Sequence, residues 1–160
     1  HGSQNPEPLT EGDVVLIDTG TVVHGYQSDI TRTTVFGEPS KEFREVFGVV
    51  REAQARALEA TAPGRTAGEI DAVARGVVDA AGYGPDYRLF THRLGHGIGL
   101  EGHEWAYLVR GSNVVLEPGM TFSNEPGIYQ YGKFGVRLED IMVVTENGAE
   151  LLTEPAPPIA

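Results

Sequence analysis

The sequence predicts an α+β fold in which helices cover an antiparallel sheet, and three observations predict it. Short β-branched runs such as Val14-Val15-Leu16-Ile17 are bounded by turn residues and have the length of buried strands. Two longer stretches, near residues 40–61 and 66–82, carry apolar side chains at helical spacing. The two ends of the chain also share a plan. Glu11-Gly12-Asp13, a strand, Asp18, a hairpin, Asp29 and a strand are echoed by Glu117-Pro118-Gly119, a strand, Glu125, a hairpin, Glu139 and a strand, with acid spacings of 11 and 14. This weak internal duplication predicts two acid-bearing hairpins meeting about a pseudo-twofold axis.

Each element has its own justification. Residues 1–11 are polar, contain Pro6 and Pro8, and read as an extended lead-in. The first strand ends on Asp18-Thr19-Gly20; a second, roughly Asp29 to Phe36, sets Asp29, Thr31 and Thr33 on one face, and Gly37 closes the hairpin. Pro39-Ser40 opens the first helix, whose Phe43, Val46, Phe47 and Val50 follow the i, i+3, i+4, i+7 pattern to about Thr61, before Pro63-Gly64. Thr66 and Glu69 form a capping box for the second helix, with Ile70, Val73, Ala74 and Val77 inward and Gly82 as its stop. Glu117-Pro118-Gly119 turns into a strand over residues 120–125, ended by Pro126-Gly127. A last strand runs from Val136 to Val144, with Val136 and Leu138 facing one way and Arg137 and Glu139 the other.

Composition limits the function. A chain of 160 residues with 40% hydrophobic and 22% charged content suits a single soluble domain. A net charge of −11 without Lys/Arg clusters argues against nucleic acid and anionic membranes. The absence of cysteine removes disulfides, zinc-thiolate sites and thiol nucleophiles, and is compatible with a reducing cytoplasm, the expected location. No apolar run approaches the ~20 residues of a membrane span, and no signal-peptide pattern opens the chain.

The stretch His92 to His103 places three imidazoles among four glycines. Glycine lets the backbone approach closely whatever those rings hold. Around it stand Asp18, Asp29, Glu125 and Glu139 at the ends of apolar runs. Any one of these acids is ordinarily a turn or cap residue, and His96 alone is ordinarily structural. As a set, four carboxylates and one imidazole would repel and protonate unless two divalent cations joined them, and such ligands suit Mn²⁺, Co²⁺, Fe²⁺ or Zn²⁺. A pair of cations ~3.5 Å apart would acidify a bridging water and polarise a carbonyl, the chemistry of metal-assisted hydrolysis. His103 is then placed to donate to an oxyanion or orient a substrate. Arg137 is placed to fix a carboxylate; its bland reading is a surface ion pair. Trp105 and Tyr107 are candidate pocket walls. There is no phosphate loop and no Gly-x-Ser-x-Gly elbow.

These residues carry a resemblance. Asp18-Thr19-Gly20, the run Ser28 to Thr33, the run Leu94 to Glu104, Leu116 to Met120, Asn124 to Tyr129 and Gly135 to Ile141 follow one another between about Leu9 and Thr153. In order and spacing they resemble the catalytic domain of Xaa-Pro dipeptidases (prolidases) and Xaa-Pro aminopeptidases. The resemblance implies a pita-bread fold across residues 1–160, as the C-terminal part of a longer architecture whose upstream elements are missing here. It implies that Asp18 binds one metal ion, that His96 and Glu125 bind the other, and that Asp29 and Glu139 bridge them. Mn²⁺ or Co²⁺ is favoured, ahead of Zn²⁺ or Fe²⁺. Glu125 would also shuttle the proton, His103 would stabilise the tetrahedral intermediate, and Arg137 would support the ligands. His92 and His103 would contact substrate, and His1 falls where the family has a substrate-side histidine. The implied substrates are short proline-containing peptides, and the expected assembly is a homodimer. Methionine aminopeptidases share the five ligands and are the alternative within the fold; a non-catalytic binding module is the alternative outside enzymology. Trp105-Ala106 departs from the Glu-Pro common at that place.

Overall fold

The computed structural model describes residues 5–159. Strand β1 (Val14–Thr19) pairs antiparallel with β4 (Ile30–Val35), and between them lies a small hairpin, β2 (Val22–Val23) and β3 (Tyr26–Gln27). Helices α1 (Lys41–Ala60) and α2 (Ala67–Ala80) follow. The Ser40 hydroxyl accepts the Phe43 N–H at the start of α1, and Thr66 and Glu69 close both halves of the predicted capping box on α2. Gly82, just beyond α2, has a φ of 87°, the left-handed geometry expected of a helix stop.

The second half builds a five-stranded antiparallel sheet, in the order β11-β10-β7-β5-β6. Its members are β5 (Gly95–Gly97), β6 (Glu104–Leu108), β7 (Thr121–Asn124), β10 (Asp140–Val144) and β11 (Ala149–Leu151). Another hairpin, β8 (Gly127–Gln130) and β9 (Phe134–Arg137), projects between β7 and β10. The helices cover one sheet face: Phe43, Val46, Val50, Ile70 and Ala74 share a core with Leu108, Phe122 and Met142. Gly95 stands opposite Leu108, and His96 opposite Tyr107, so His96 and Tyr107 point to the other face.

The strand expected over residues 136–144 is instead two. β9 pairs with β8 and β10 with β7, and the chain breaks at Leu138-Glu139 to pass from one sheet to the other. Glu139 there bridges to Thr31, through Thr31 N–H to Glu139 O and Glu139 N–H to Thr31 O. The break strengthens the duplication: strand, acid, small hairpin, acid, strand occurs as β1 to β4 and again as β7 to β10, and the bridge joins the two copies. The expected alternation survives it, since Val136 and Leu138 are buried among apolar groups while Arg137 and Glu139 face the other way. The hairpin expected between Asp18 and Asp29 is present as β2–β3, whereas β5 was not expected. Gly95 and Gly97 have weak strand propensity, but a Cβ at Gly95 would collide with the Ser123 carbonyl and one at Gly97 would lie 2.8 Å from the Glu104 oxygen. Glycine is there for close approach of backbones.

Candidate metal centre

Where the two hairpins meet the glycine-rich strand, a cavity of about 620 Å³ opens. Asp18, Asp29, His92, His96, His103, Glu125, Arg137 and Glu139 all line it, so residues up to 121 positions apart are gathered at one place. His1 lies outside the described residues. Tyr107 also lines this cavity, as expected, whereas Trp105 does not: it is 76% exposed and borders a separate recess of about 200 Å³. Strand alternation puts Trp105 and Tyr107 on one side, but the β5–β6 register shifts between His96 and Gly97 and parts them.

The donor set has the chemistry of a cation site. His96 is buried, and its Nδ1 meets the Gly97 carbonyl at 3.0 Å. A carbonyl only accepts, so Nδ1 carries the hydrogen and Nε2 presents a lone pair. That lone pair faces Glu125 Oε1 at 3.4 Å and Asp29 Oδ2 at 3.8 Å. With both carboxyls ionised, three acceptor atoms converge with no donor among them, an arrangement a divalent cation satisfies, and the ring orientation is that of a metal-ligating histidine braced by a backbone carbonyl. His96, Glu125 and Glu139 form one group with ligand atoms within 4.8 Å of one another; Asp18, Asp29 and Glu139 form a second, sharing Glu139. Asp29, His96 and His103 form a third.

Electrostatics point the same way. Burial, then the neighbouring Glu125 charge, pushes the Glu139 carboxyl up to about 8. Burial pushes Glu125 up to about 7, against a hydrogen bond from Ser123, and Asp29 is raised by burial and by Asp18. Burial lowers His96 to about 4, so its imidazole is neutral, as a ligand must be. These carboxyls are raised because like charges are crowded out of water, the penalty that a cation reverses.

Around the ligands runs a hydrogen-bonded shell. Thr31 Oγ1 donates to Glu139 Oε2 at 2.6 Å, and the Ser123 hydroxyl donates to Glu125 Oε1 at 3.0 Å while accepting the His96 N–H. Arg137 reaches Asp18, Thr31 Oγ1 and the Tyr129 hydroxyl. It therefore steadies Asp18 directly and Glu139 through Thr31. His92 donates from Nδ1 to the Arg93 carbonyl and accepts the Tyr129 O–H at Nε2, both at 2.7 Å. Its nitrogens are thus used within the protein, and it offers the cavity a ring edge and face. His103 stacks on His96 with centroids 3.7 Å apart, and its Nδ1 lies 3.1 Å from Arg93 Nη2. Arg93, Thr31, Ser123 and Tyr129 escaped the site reading. Thr31 was signalled by its alternation with Asp29 and Tyr129 by its motif, whereas nothing in the pattern marks Arg93 or Ser123.

Comparison with known proteins agrees with this geometry. The family described as metallopeptidase family M24 matches residues 1–146. An Xaa-Pro dipeptidase of Pyrococcus furiosus is 48% identical over 154 residues, which are 96% of this chain and 43% of that protein. The solved prolidase from Pyrococcus furiosus superposes with a TM-score of 0.92 at 46% identity, covering 98% of this chain and 46% of that one. An X-Pro aminopeptidase from Thermotoga maritima superposes with a TM-score of 0.87 at 44% identity, covering 92% and 41%. The chain thus spans under half the length of these relatives, and it shares their pita-bread fold.

Proposed function

The chain belongs to metallopeptidase family M24, and from that premise we propose that it hydrolyses the peptide bond before proline in Xaa-Pro dipeptides, with two divalent cations bound. The observation that carries this reading is the convergence of the His96 Nε2 lone pair with Asp29 and Glu125, beside a Glu139 common to two ligand groups. His96, Glu125 and Glu139 would hold one ion and Asp18, Asp29 and Glu139 the other, with Asp29 also reaching toward the first. When bound, the ions supply Lewis acidity toward the scissile carbonyl and the attacking water. Mn²⁺ or Co²⁺ is the favoured occupant of so oxygen-rich a set.

The chain's own residues do the rest. Glu125, whose carboxyl sits near neutrality when its charge is unrelieved, takes a proton from the attacking water and delivers it to the proline nitrogen as the C–N bond breaks. His103 lies over His96 and donates to the carbonyl oxygen as negative charge develops there. Arg137 and Thr31 keep Asp18 and Glu139 in place, and the bonded pair His92–Tyr129 forms a fixed wall. The family resemblance of residues 94–104 and 124–141 favours the proline-specific branch over a methionine aminopeptidase.

The test is hydrolysis by the Mn²⁺- or Co²⁺-loaded chain of three substrate sets: Xaa-Pro dipeptides, longer Xaa-Pro peptides and Met-initiated peptides. Cleavage of the dipeptides, lost in Glu125→Gln, is the expected result. Preference for longer peptides would shift the assignment to an aminopeptidase. No hydrolysis of any set by a metal-loaded, folded chain would leave a binding module.

A further inference from the structure

The β5–β6 hairpin holds two side chains in contact across its open end. Arg93 stands two residues before β5 and His103 immediately before β6, and the glycine-rich turn between the strands folds His103 back over His96, with the rings 22° from parallel. Arg93 Nη2 lies 3.1 Å from His103 Nδ1. A guanidinium has five N–H donors and no lone pair to accept with, so Nδ1 must be the acceptor and the hydrogen of the ring must be on Nε2. His103 is thereby the opposite tautomer to His92 and His96, whose Nδ1 atoms both face backbone carbonyls. The guanidinium is itself held: its carbon lies 4.3 Å from the centre of the Tyr107 ring, on the strand position opposite His96. Among the described residues Arg93 forms no ion pair within 4.0 Å, so its orientation is not set by a carboxylate.

We propose that Arg93, seated on Tyr107, is a positioning residue that locks the His103 ring as its Nε2–H tautomer, so that the ring presents a proton to the cavity. This rests on the hydrolytic reading above for its consequence, but not for its existence. Without Arg93 the ring is free to carry its hydrogen on Nδ1, and a lone pair would face the developing oxyanion where a donor is needed.

The experiment compares wild type with Arg93→Met, which keeps the stem on Tyr107 without the donors, and Arg93→Lys, which returns a donor. In metal-free protein, ¹⁵N–¹H correlation of the imidazoles should show His103 as Nε2–H in wild type and Arg93→Lys, with the Nδ1–H form gained in Arg93→Met. With Mn²⁺ bound, kcat on Xaa-Pro dipeptides should fall roughly tenfold or more in Arg93→Met and recover in part in Arg93→Lys. KM should stay within about twofold, as for a donor used in the transition state. An Nδ1–H ring in wild type, an unchanged tautomer in Arg93→Met, or a loss confined to KM would overturn the proposal. A wild-type chain that hydrolyses nothing, yet shows the Arg93-dependent tautomer, would sink the hydrolytic reading and leave the positioning of His103 standing.

Discussion

Glu125 and Glu139 differ from ordinary surface carboxyls because each stands in poor solvent beside other acids. Their folded-state values of about 7 and about 8 lie above the usual 4.5, while His92 and His96, at about 4, lie below the usual 6.5. Between pH 4 and 6.5 the two effects oppose: the unfolded chain binds extra protons on imidazole, which favours the fold as pH rises, and fewer on carboxyl, which disfavours it. Above 6.5 only the carboxyls still differ. The metal-free protein should therefore lose stability between pH 6.5 and 8, as denaturant titration at the two values would show; a rise over that interval would contradict the account. The same protons must leave when cations arrive. Mn²⁺ binding at pH 7 should release protons, seen calorimetrically as a binding enthalpy that depends on the ionisation heat of the buffer. At this scale the gathering of Asp18, Asp29, His96, Glu125 and Glu139 was legible in the sequence, because acids at the ends of apolar strands need compensation and the imidazole stands between glycines that admit close approach. Ser123 and Arg93 were not, since their roles depend on a bulged register and a ring stack that no local pattern encodes.

Helix α2 shows how an element outside the centre holds it in shape. Asp71 and Arg75 form a buried pair, with Nε to Oδ2 at 2.7 Å, and neither side chain lines the cavity. Arg75 also donates to the carbonyls of Asp86, Phe90 and His92, and Asp71 accepts the Leu94 N–H. One turn of helix thus anchors the segment that leads into β5. Removing one partner leaves an unpaired buried charge, so Arg75→Ala should cost ~3–5 kcal/mol by chemical denaturation, whereas the double variant Asp71→Asn/Arg75→Gln, which removes both charges and keeps an acceptor for the Leu94 N–H and a donor for the carbonyls, should cost less. Equal losses in the two would argue against a charge pair. Both helices were legible from their 3.6-residue spacing and from Ser40 and the Thr66–Glu69 box, features fixed within a few residues, although the buried face of α2 runs through Ile70, Asp71, Ala74, Arg75 and Val78 and leaves the expected Val73 and Val77 half-buried at its margin. β5 was not, because Gly95-His96-Gly97 is a strand only by virtue of the sheet that closes round it. The split at Leu138-Glu139 was hidden for a related reason: an unbroken apolar alternation does not say that its two halves pair with different partners.

On the scale of the molecule, two copies of one acid-bearing hairpin are joined at the Thr31–Glu139 bridge, and their carboxylates crowd about His96. The duplication was legible in outline, from the repeated order of turn, strand and acid. The distance between the copies was not, because it depends on pairing over more than a hundred residues. Cations that bind only this folded arrangement must stabilise it, by ~2.7 kcal/mol at a concentration a hundredfold above Kd. Chelation should accordingly lower the melting temperature, and Glu139→Gln, which serves both ligand groups, should abolish the difference between metal-loaded and chelated protein. A melting temperature indifferent to metal would contradict the coupling. The most direct test is an anomalous-scattering map of crystals grown with Mn²⁺. Two peaks are expected, one among His96, Glu125 and Glu139 and one among Asp18, Asp29 and Glu139, whereas a cavity without a peak, or peaks bound elsewhere on the acidic surface, would contradict the account.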